Sequence, residues 1–383
     1  MKYNFDEIIQ RSGSGCYKYD TMPTKDIVPL WVADMDFRVA QPITDALHKR
    51  IEHGVFGYTK VGDDYYNAII SWFERRHQWT IQKEWIIYTT GVVPAVSAVI
   101  KALTSPGDKV LVQTPVYNCF FSSIRNNGCE VAESPLIYKD AYYTIDFEDF
   151  ERQCADPKVR LFLLCNPHNP AGRVWTREEL KRMNAICLRH NVRVIADEIH
   201  CELIMPGCKF VPMASVSQEC LDNVVVCNSP SKSFNTAGLQ VANIICNDDS
   251  IRRRIDRAIN INEVCDVNPF GPIALMAAYN DSEDWLDQVN EYIWSNYIFL
   301  IDHFKKDAPE LTVTKLEGTY LVWVDIRPWG ICSDELTKHL LAKGVMVNSG
   351  TMYGKTAGEG FIRINIALPR QRLAQGLKLI SID

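Results

Sequence analysis

"VRLFLLCNPHNPAGRVWTREELKRMNAICLRHNVRVIADEIH", residues Val159–His200, reads as a strand, a turn-rich loop, a helix and a second strand. The runs "VRLFLLC" and "VRVIAD" are of strand length and almost continuously apolar, the pattern of strands covered on both faces. Between them Leu180, Met183, Ile186 and Cys187 recur at helical spacing. Two buried strands joined by a helical crossover point to parallel pairing in an α/β sheet.

The same texture extends both ways. Upstream, "EWIIYTT" is a strand with the helix "PAVSAVIKALT" after it, and "GDKVLVQTP" is a turn and strand followed by the helical "NCFFSSIRNNG". Downstream, "NVVVCNSPS" and "VANIICN" continue the sheet. Past about residue 280 a long helix, "SEDWLDQVNEYIWSNYIFLIDHFKKDAPE", leads into the strand "TYLVWVD", a helix from Ser333 and a last strand "FIRINIA". This predicts a large domain over residues 46–282 and a smaller α+β domain over 283–383, to which the N-terminal segment 1–45 is assigned.

Composition narrows the partners. With 41 basic against 47 acidic residues and a formal charge of −6, the chain lacks the electrostatic footprint for nucleic acid or an anionic membrane surface. Thirteen cysteines without a C-x-x-C pair suggest neither a disulfide framework nor a zinc ribbon, and no histidine pair or histidine–cysteine pair has ligand spacing, so no metal is expected. Reduced thiols fit a cytoplasmic protein. The opening "MKYNFDEIIQ" has no apolar leader core, and no run approaches the ~18 residues of a membrane span. "GSG" at Gly13–Gly15 lacks a third glycine and a flanking strand and helix, which rejects a dinucleotide fingerprint.

In open α/β sheets ligands bind beyond the carboxyl ends of the strands. Four such ends carry chemistry. Gly91 leads into a helix at Val92 and Val93, where free N–H groups suit a phosphate. Asn166 and Asn169 stand in "CNPHNPAG"; Asp197 follows an apolar run; and Lys232 sits in "SPSKSFN", directly after "NVVVCN". Each has a plainer reading alone: a strand-to-helix turn, turn-forming asparagines, a structural ion pair.

Their order resembles the fold-type I enzymes that use pyridoxal 5′-phosphate (PLP). "WVADMDF", "FGYT", "GVVPAVSAVI", "TPVY", "NPHNPAGRVW", "DEIHCEL", "SKSFNTAGLQ" and "FIRINIA" are similar to the MalY/PatB group of cystathionine β-lyases and related cysteine-S-conjugate β-lyases, nearly end to end. The resemblance implies a mostly parallel seven-stranded sheet in the large domain. It makes Lys232 the Schiff-base lysine and catalytic base. Ser229, Ser231 and the amides of Gly91, Val92 and Val93 become phosphate donors, and Asp197 the partner of the pyridine nitrogen. Asn169 would meet the phenolic oxygen and Tyr117 the ring face. Arg363 would grip the substrate carboxylate, with Asn169 beside it. Trp31, Ala33 and Asp34 would line the substrate mouth, although Asp34 and Asp36 read equally well as solvated loop acids. Tyr58 would reach the phosphate of the neighbouring subunit, implying a homodimer with shared active sites. Two positions depart from the aminotransferase pattern: His200 stands where many carry tyrosine, so its role stays open, and Gln240 stands where aspartate aminotransferases carry a phosphate-binding arginine.

The implied activity is a PLP-dependent carbon–sulfur β-lyase that cleaves L-cystathionine or related cysteine S-conjugates to a thiol, pyruvate and ammonia. Lys232, Tyr117 and Tyr58 are all candidates to protonate the leaving sulfur. The alternatives are an aminotransferase on the same scaffold, or a regulatory protein acting through a partner.

Overall fold

The computed structural model describes residues 2–24, 26–261 and 266–382. Its large sheet contains β1 (Ile86–Thr89), β2 (Lys109–Val112), β3 (Glu130–Glu133), β4 (Val159–Cys165), β5 (Arg193–Asp197), β6 (Val224–Asn228) and β7 (Ala242–Ile245). The strands lie in the order β1-β7-β6-β5-β4-β2-β3. From β3 to β6 the pairs are parallel, whereas β7 runs antiparallel to both β6 and β1. The reversal follows from the β6–β7 link, which holds only the one-turn helix Ala237–Leu239 and no crossover helix to carry the chain back across the sheet. Lys232 lies on that link, at the end of the sheet where β4, β5 and β6 also finish.

The central strands are buried throughout β5's last four residues and all of β6, as their apolar runs require. The crossover helix α5 (Arg177–Arg189) starts at a capping box in which Thr176 accepts the Glu179 N–H and Glu179 accepts the Thr176 N–H. It buries Leu180, Met183, Ile186 and Cys187. Helix α3 (Val92–Leu103) buries Val92, Ala95, Val96, Ala98, Val99 and Ile100, and begins two residues before the "PAVSAVIKALT" of the sequence expectation.

A second sheet of β8 (Thr312–Val313), β9 (Leu321–Asp325), β10 (Asn348–Ser349) and β11 (Phe361–Asn365) has the order β8-β9-β11-β10 and is antiparallel throughout. It follows α6 (Glu283–Asp307), the long helix expected from sequence. Val28–Pro29 pairs in parallel with Val345–Met346, and the Asp36 N–H donates to the Ala367 carbonyl at 2.9 Å, so residues 28–36 dock on the C-terminal third. Two glycines couple the sheets. Gly172 holds φ +72°, and its carbonyl accepts the N–H groups of Glu317 and Gly318. A β-carbon on Gly318 would stand 2.8 Å from Val174 and 3.0 Å from Pro167. Among the described residues no helix is long and apolar enough to cross a membrane.

Candidate active site

Beyond the ends of β4, β5 and β6 lies a cavity of about 210 Å³. Gly91, Val92, Val93, Tyr117, Asn169, Asp197, His200, Ser231, Lys232 and Ala33 line it, so one strand-end pocket gathers residues spread over 200 positions of sequence. Gly91 is the N-cap of α3 and no side chain caps that helix, which leaves first-turn N–H groups facing the cavity wall.

Asp197 ends β5 and is buried; its carboxylate accepts one N–H, from Ile199 at 3.1 Å. Burial pushes its pKa up to about 7, against the opposing pull of that N–H and of the Lys232 charge. Its neighbour Glu198 accepts from the Met213 N–H, and burial pushes it to about 8. Of the two, Asp197 lines the cavity, and a buried carboxyl held by a single backbone N–H suits a ligand bringing a protonated ring nitrogen.

Lys232 Nζ donates to the Ala33 carbonyl at 2.6 Å. Burial lowers its pKa and the Arg363 charge acts in the same direction, while Asp34 and Asp197 oppose them. His200, packed edge-on against Tyr320 at 6.0 Å, is held well below its usual pKa by burial and by the charges of Lys232 and Arg363. It is therefore neutral, and its Nδ1 has no hydrogen-bond partner among the described residues. Tyr117 is the N-cap of α4 (Asn118–Asn126), and burial raises its phenol so that it keeps its proton at neutral pH.

Arg363 comes from β11, opposite Trp323 and Asn348 in the ladder, and is 3% exposed. Its Nη1 donates to Asn169 Oδ1 at 3.1 Å and its Nη2 to the Trp31 carbonyl at 2.8 Å, while its Nε is buried without a partner among the described residues. The arginine thus ties the small sheet to Asn169, which lines the cavity, while Arg363 itself stands behind that lining with two of its five N–H groups engaged.

Three sequence expectations land elsewhere. The Ser229 hydroxyl donates to the Val241 carbonyl at 2.6 Å and accepts the Ser231 N–H, so it braces the lysine loop from outside the cavity lining. Trp31 contributes its backbone carbonyl to Arg363 while its indole donates to the Lys18 carbonyl. Tyr58, expected at a neighbouring subunit's site and not at its own, is fully exposed and outside the cavity of its own chain. Asp34 and Asp36 are not solvated loop acids. Arg11 pairs with Asp34 at 2.7 Å and Asp36 at 2.5 Å, fully buried Lys18 pairs with them at 3.3 and 3.1 Å, and the Tyr19 hydroxyl donates to Asp36 at 2.7 Å. This cluster fixes the strap whose Ala33 carbonyl receives both Lys232 and the Tyr320 hydroxyl.

Sequence reasoning missed Thr90, Ile199, Ala237 and Tyr320. The first three sit beside motif residues and could have been found by extending each strand end, whereas Tyr320 carries no local signal. It also missed that folding brings His77, Cys201 and Glu202 together, 124 positions separating the first pair. Glu202 is already taken, by the Trp72 indole at 2.7 Å, His77 at 2.6 Å and Arg76 at 3.7 Å. Burial and Glu202 raise the Cys201 thiol well above its usual pKa.

Residues 25–380 match the family model for class I and II aminotransferases. The chain is 41% identical over 383 residues, 99% of both chains, to cystathionine beta-lyase PatB of Bacillus subtilis strain 168. Among solved structures, cystalysin from Treponema denticola, which contains a pyridoxal 5′-phosphate cofactor, superposes with a TM-score of 0.96 at 35% identity, over 99% of this chain and 98% of that one. The PLP-bound C-S lyase from Staphylococcus hominis, complexed with L-cycloserine, does so with a TM-score of 0.93 at 32% identity and the same coverage.

Proposed function

The chain belongs to the class I and II aminotransferase family, and on that premise we propose that it is a PLP-dependent carbon–sulfur β-lyase, cleaving L-cystathionine or related cysteine S-conjugates to a thiol, pyruvate and ammonia. The observation that carries the reading is the pairing in one cavity of a buried, under-partnered Asp197 with a lysine whose ammonium form burial disfavours.

The residues present fit the cofactor. Asp197 suits the ring nitrogen, Ser231 and the N–H groups at Gly91, Val92 and Val93 suit the phosphate, and Asn169 and the neutral His200 are placed for ring substituents. When bound, PLP supplies an aldehyde that takes up amino groups and a protonated ring that accepts the electron pair left at Cα.

The chain does the rest. Lys232, poised toward its neutral form, removes the Cα proton, and the Ala33 carbonyl aims its nitrogen. Arg363, bonded to Asn169 and to the Trp31 strap beside the cavity, is the cation for the substrate carboxylate. Tyr117 keeps its proton at neutral pH and lies against the same cavity, which favours it as donor to the departing sulfur. Tyr58 is fully exposed beside exposed Val55 and Phe56, the surface expected if this segment completes the site of a second subunit in a homodimer.

Incubation with cystathionine and no keto acid tests the proposal. A β-lyase releases pyruvate continuously, and Lys232→Ala abolishes both that release and the visible absorbance of the bound cofactor. Pyruvate release by the variant at the wild-type rate, or a wild type that stops after one equivalent as an aminotransferase would, defeats it.

A further inference from the structure

Tyr320 stands immediately before β9, fully buried, with its carbonyl accepting the Ile366 N–H at 3.0 Å. Thr319 ahead of it holds φ +72°, a conformation that a β-branched residue rarely adopts. The Tyr320 ring packs edge-on against His200 in the cavity lining, and its hydroxyl donates to the Ala33 carbonyl at 3.0 Å, the same oxygen that Lys232 Nζ meets at 2.6 Å. The strap does not need that hydroxyl to stay docked. Asn365 takes the Leu30, Val32 and Asp34 carbonyls, Arg363 and Asn348 take that of Trp31, and Asn235 and Arg11 take that of Met35. In this run it is the Ala33 carbonyl that turns to Lys232, and Tyr320 brings a phenol to the same oxygen.

We propose that Tyr320 is a positioning residue for Lys232: its hydroxyl holds the Ala33 oxygen in place and takes one of that oxygen's two lone pairs, so that Lys232 gives the carbonyl one hydrogen and turns its own nitrogen lone pair to the cavity. The inference rests on the reading of Lys232 as the base and adds the group that governs its seat. Two donors on one oxygen divide its electron density, so each is held less tightly than it would be alone. The ammonium form of a lysine gains most from a carbonyl partner, because its hydrogen bond is charge-assisted. Sharing the carbonyl with Tyr320 therefore costs the ammonium more than the amine, and it leaves Lys232 nearer the neutral form that accepts a proton from Cα. Removing the hydroxyl hands the whole carbonyl to the lysine and moves the balance toward the ammonium. The other titratable and charged groups that face Lys232 are Asp34, Asp197, Arg363 and Cys119, with neutral His200 beside them. A change confined to the Tyr320 hydroxyl leaves all of them in place.

The test alters the hydroxyl and keeps the ring. Cofactor-free full chain is labelled with trace acetic anhydride across a range of pH, and acetylation of the peptide containing Lys232 is followed by mass spectrometry. In Tyr320→Phe the midpoint of Lys232 labelling should rise by about half a pH unit. With 3-fluorotyrosine in place of Tyr320, a stronger donor of nearly the same size, the midpoint should fall below that of the wild type. Loosened packing would raise the midpoint in both proteins, so opposite shifts are the mark of the hydrogen bond itself. In the cofactor-loaded enzymes the acid limb of kcat for pyruvate release should move in the same two directions, with KM held within about twofold. If Tyr320→Phe fails to fold, the fluorinated protein against wild type decides alone. Midpoints that stay put, or that shift the same way, overturn the proposal. An acid limb that stays put while the midpoints separate overturns the bearing of Tyr320 on catalysis. Absence of pyruvate release from the wild type sinks the lyase reading, and the labelling midpoints still judge Tyr320.

Discussion

Replacing Asp197 with asparagine should stabilise the cofactor-free protein while disabling the enzyme. The native carboxyl sits at about 7 against an ordinary 3.8, a rise caused first by burial. A raised native pKa means that the folded state prefers the protonated form. The contribution of this group is therefore intact below about pH 4, falls as pH rises, and is fully lost above about pH 7. At about 1.4 kcal/mol per unit, three units give a cost of about 4 kcal/mol at pH 8 and about 2 kcal/mol at pH 5. Asparagine, of nearly the same shape, never ionises. Urea unfolding of the cofactor-free proteins should show the variant gaining on wild type by about 2 kcal/mol between pH 5 and pH 8. Some of the gain will be larger than the single group predicts, because the Asp197 charge also raises Glu198. In the loaded enzyme the same change should lower pyruvate release by at least about 10²-fold, since no anion remains to hold the ring nitrogen protonated. Parallel pH profiles for the two cofactor-free proteins would refute the argument that Asp197 is a buried charge awaiting a cation.

Two further outcomes follow from the site's supports. Lys18→Met removes a fully buried cation facing Asp34 and Asp36; with Arg11 still in place the loss should be about 3 kcal/mol in urea unfolding, and KM should rise as the Ala33 strap loosens. Arg363→Lys keeps the charge but cannot hold Asn169, the Trp31 carbonyl and a carboxylate at once, so KM should rise about tenfold or more with a smaller fall in kcat, read from initial rates of pyruvate release.

Local pattern was enough for the strands and the residues at their ends. A buried parallel strand must be apolar nearly throughout, so Val159–Cys165, Arg193–Asp197 and Val224–Asn228 announce themselves, and a polar residue at the end of such a run stands out. That is why Gly91, Asn169, Asp197 and Lys232 were legible one by one, and the strand-end rule explains why they share a cavity. The direction of β7 was not legible, because an apolar run of four residues has the same period whichever way it points; the short link from β6 decided it.

Tertiary structure alone decided what each polar group is bonded to. Asp34 and Asp36 look like loop acids in sequence because Arg11 and Lys18 meet them through irregular chain with no period to read. Ser229 and Ser231 are chemically alike, yet the Val241 carbonyl claims one and the cavity receives the other. Arg363 became a site residue when an antiparallel ladder set it beside an asparagine 194 positions away. Hydrogen bonds and ion pairs act over a few ångströms of space and leave no periodic trace along the chain, so sequence determined which elements form and which residues end them, and folding determined which of those residues keep an atom free for chemistry.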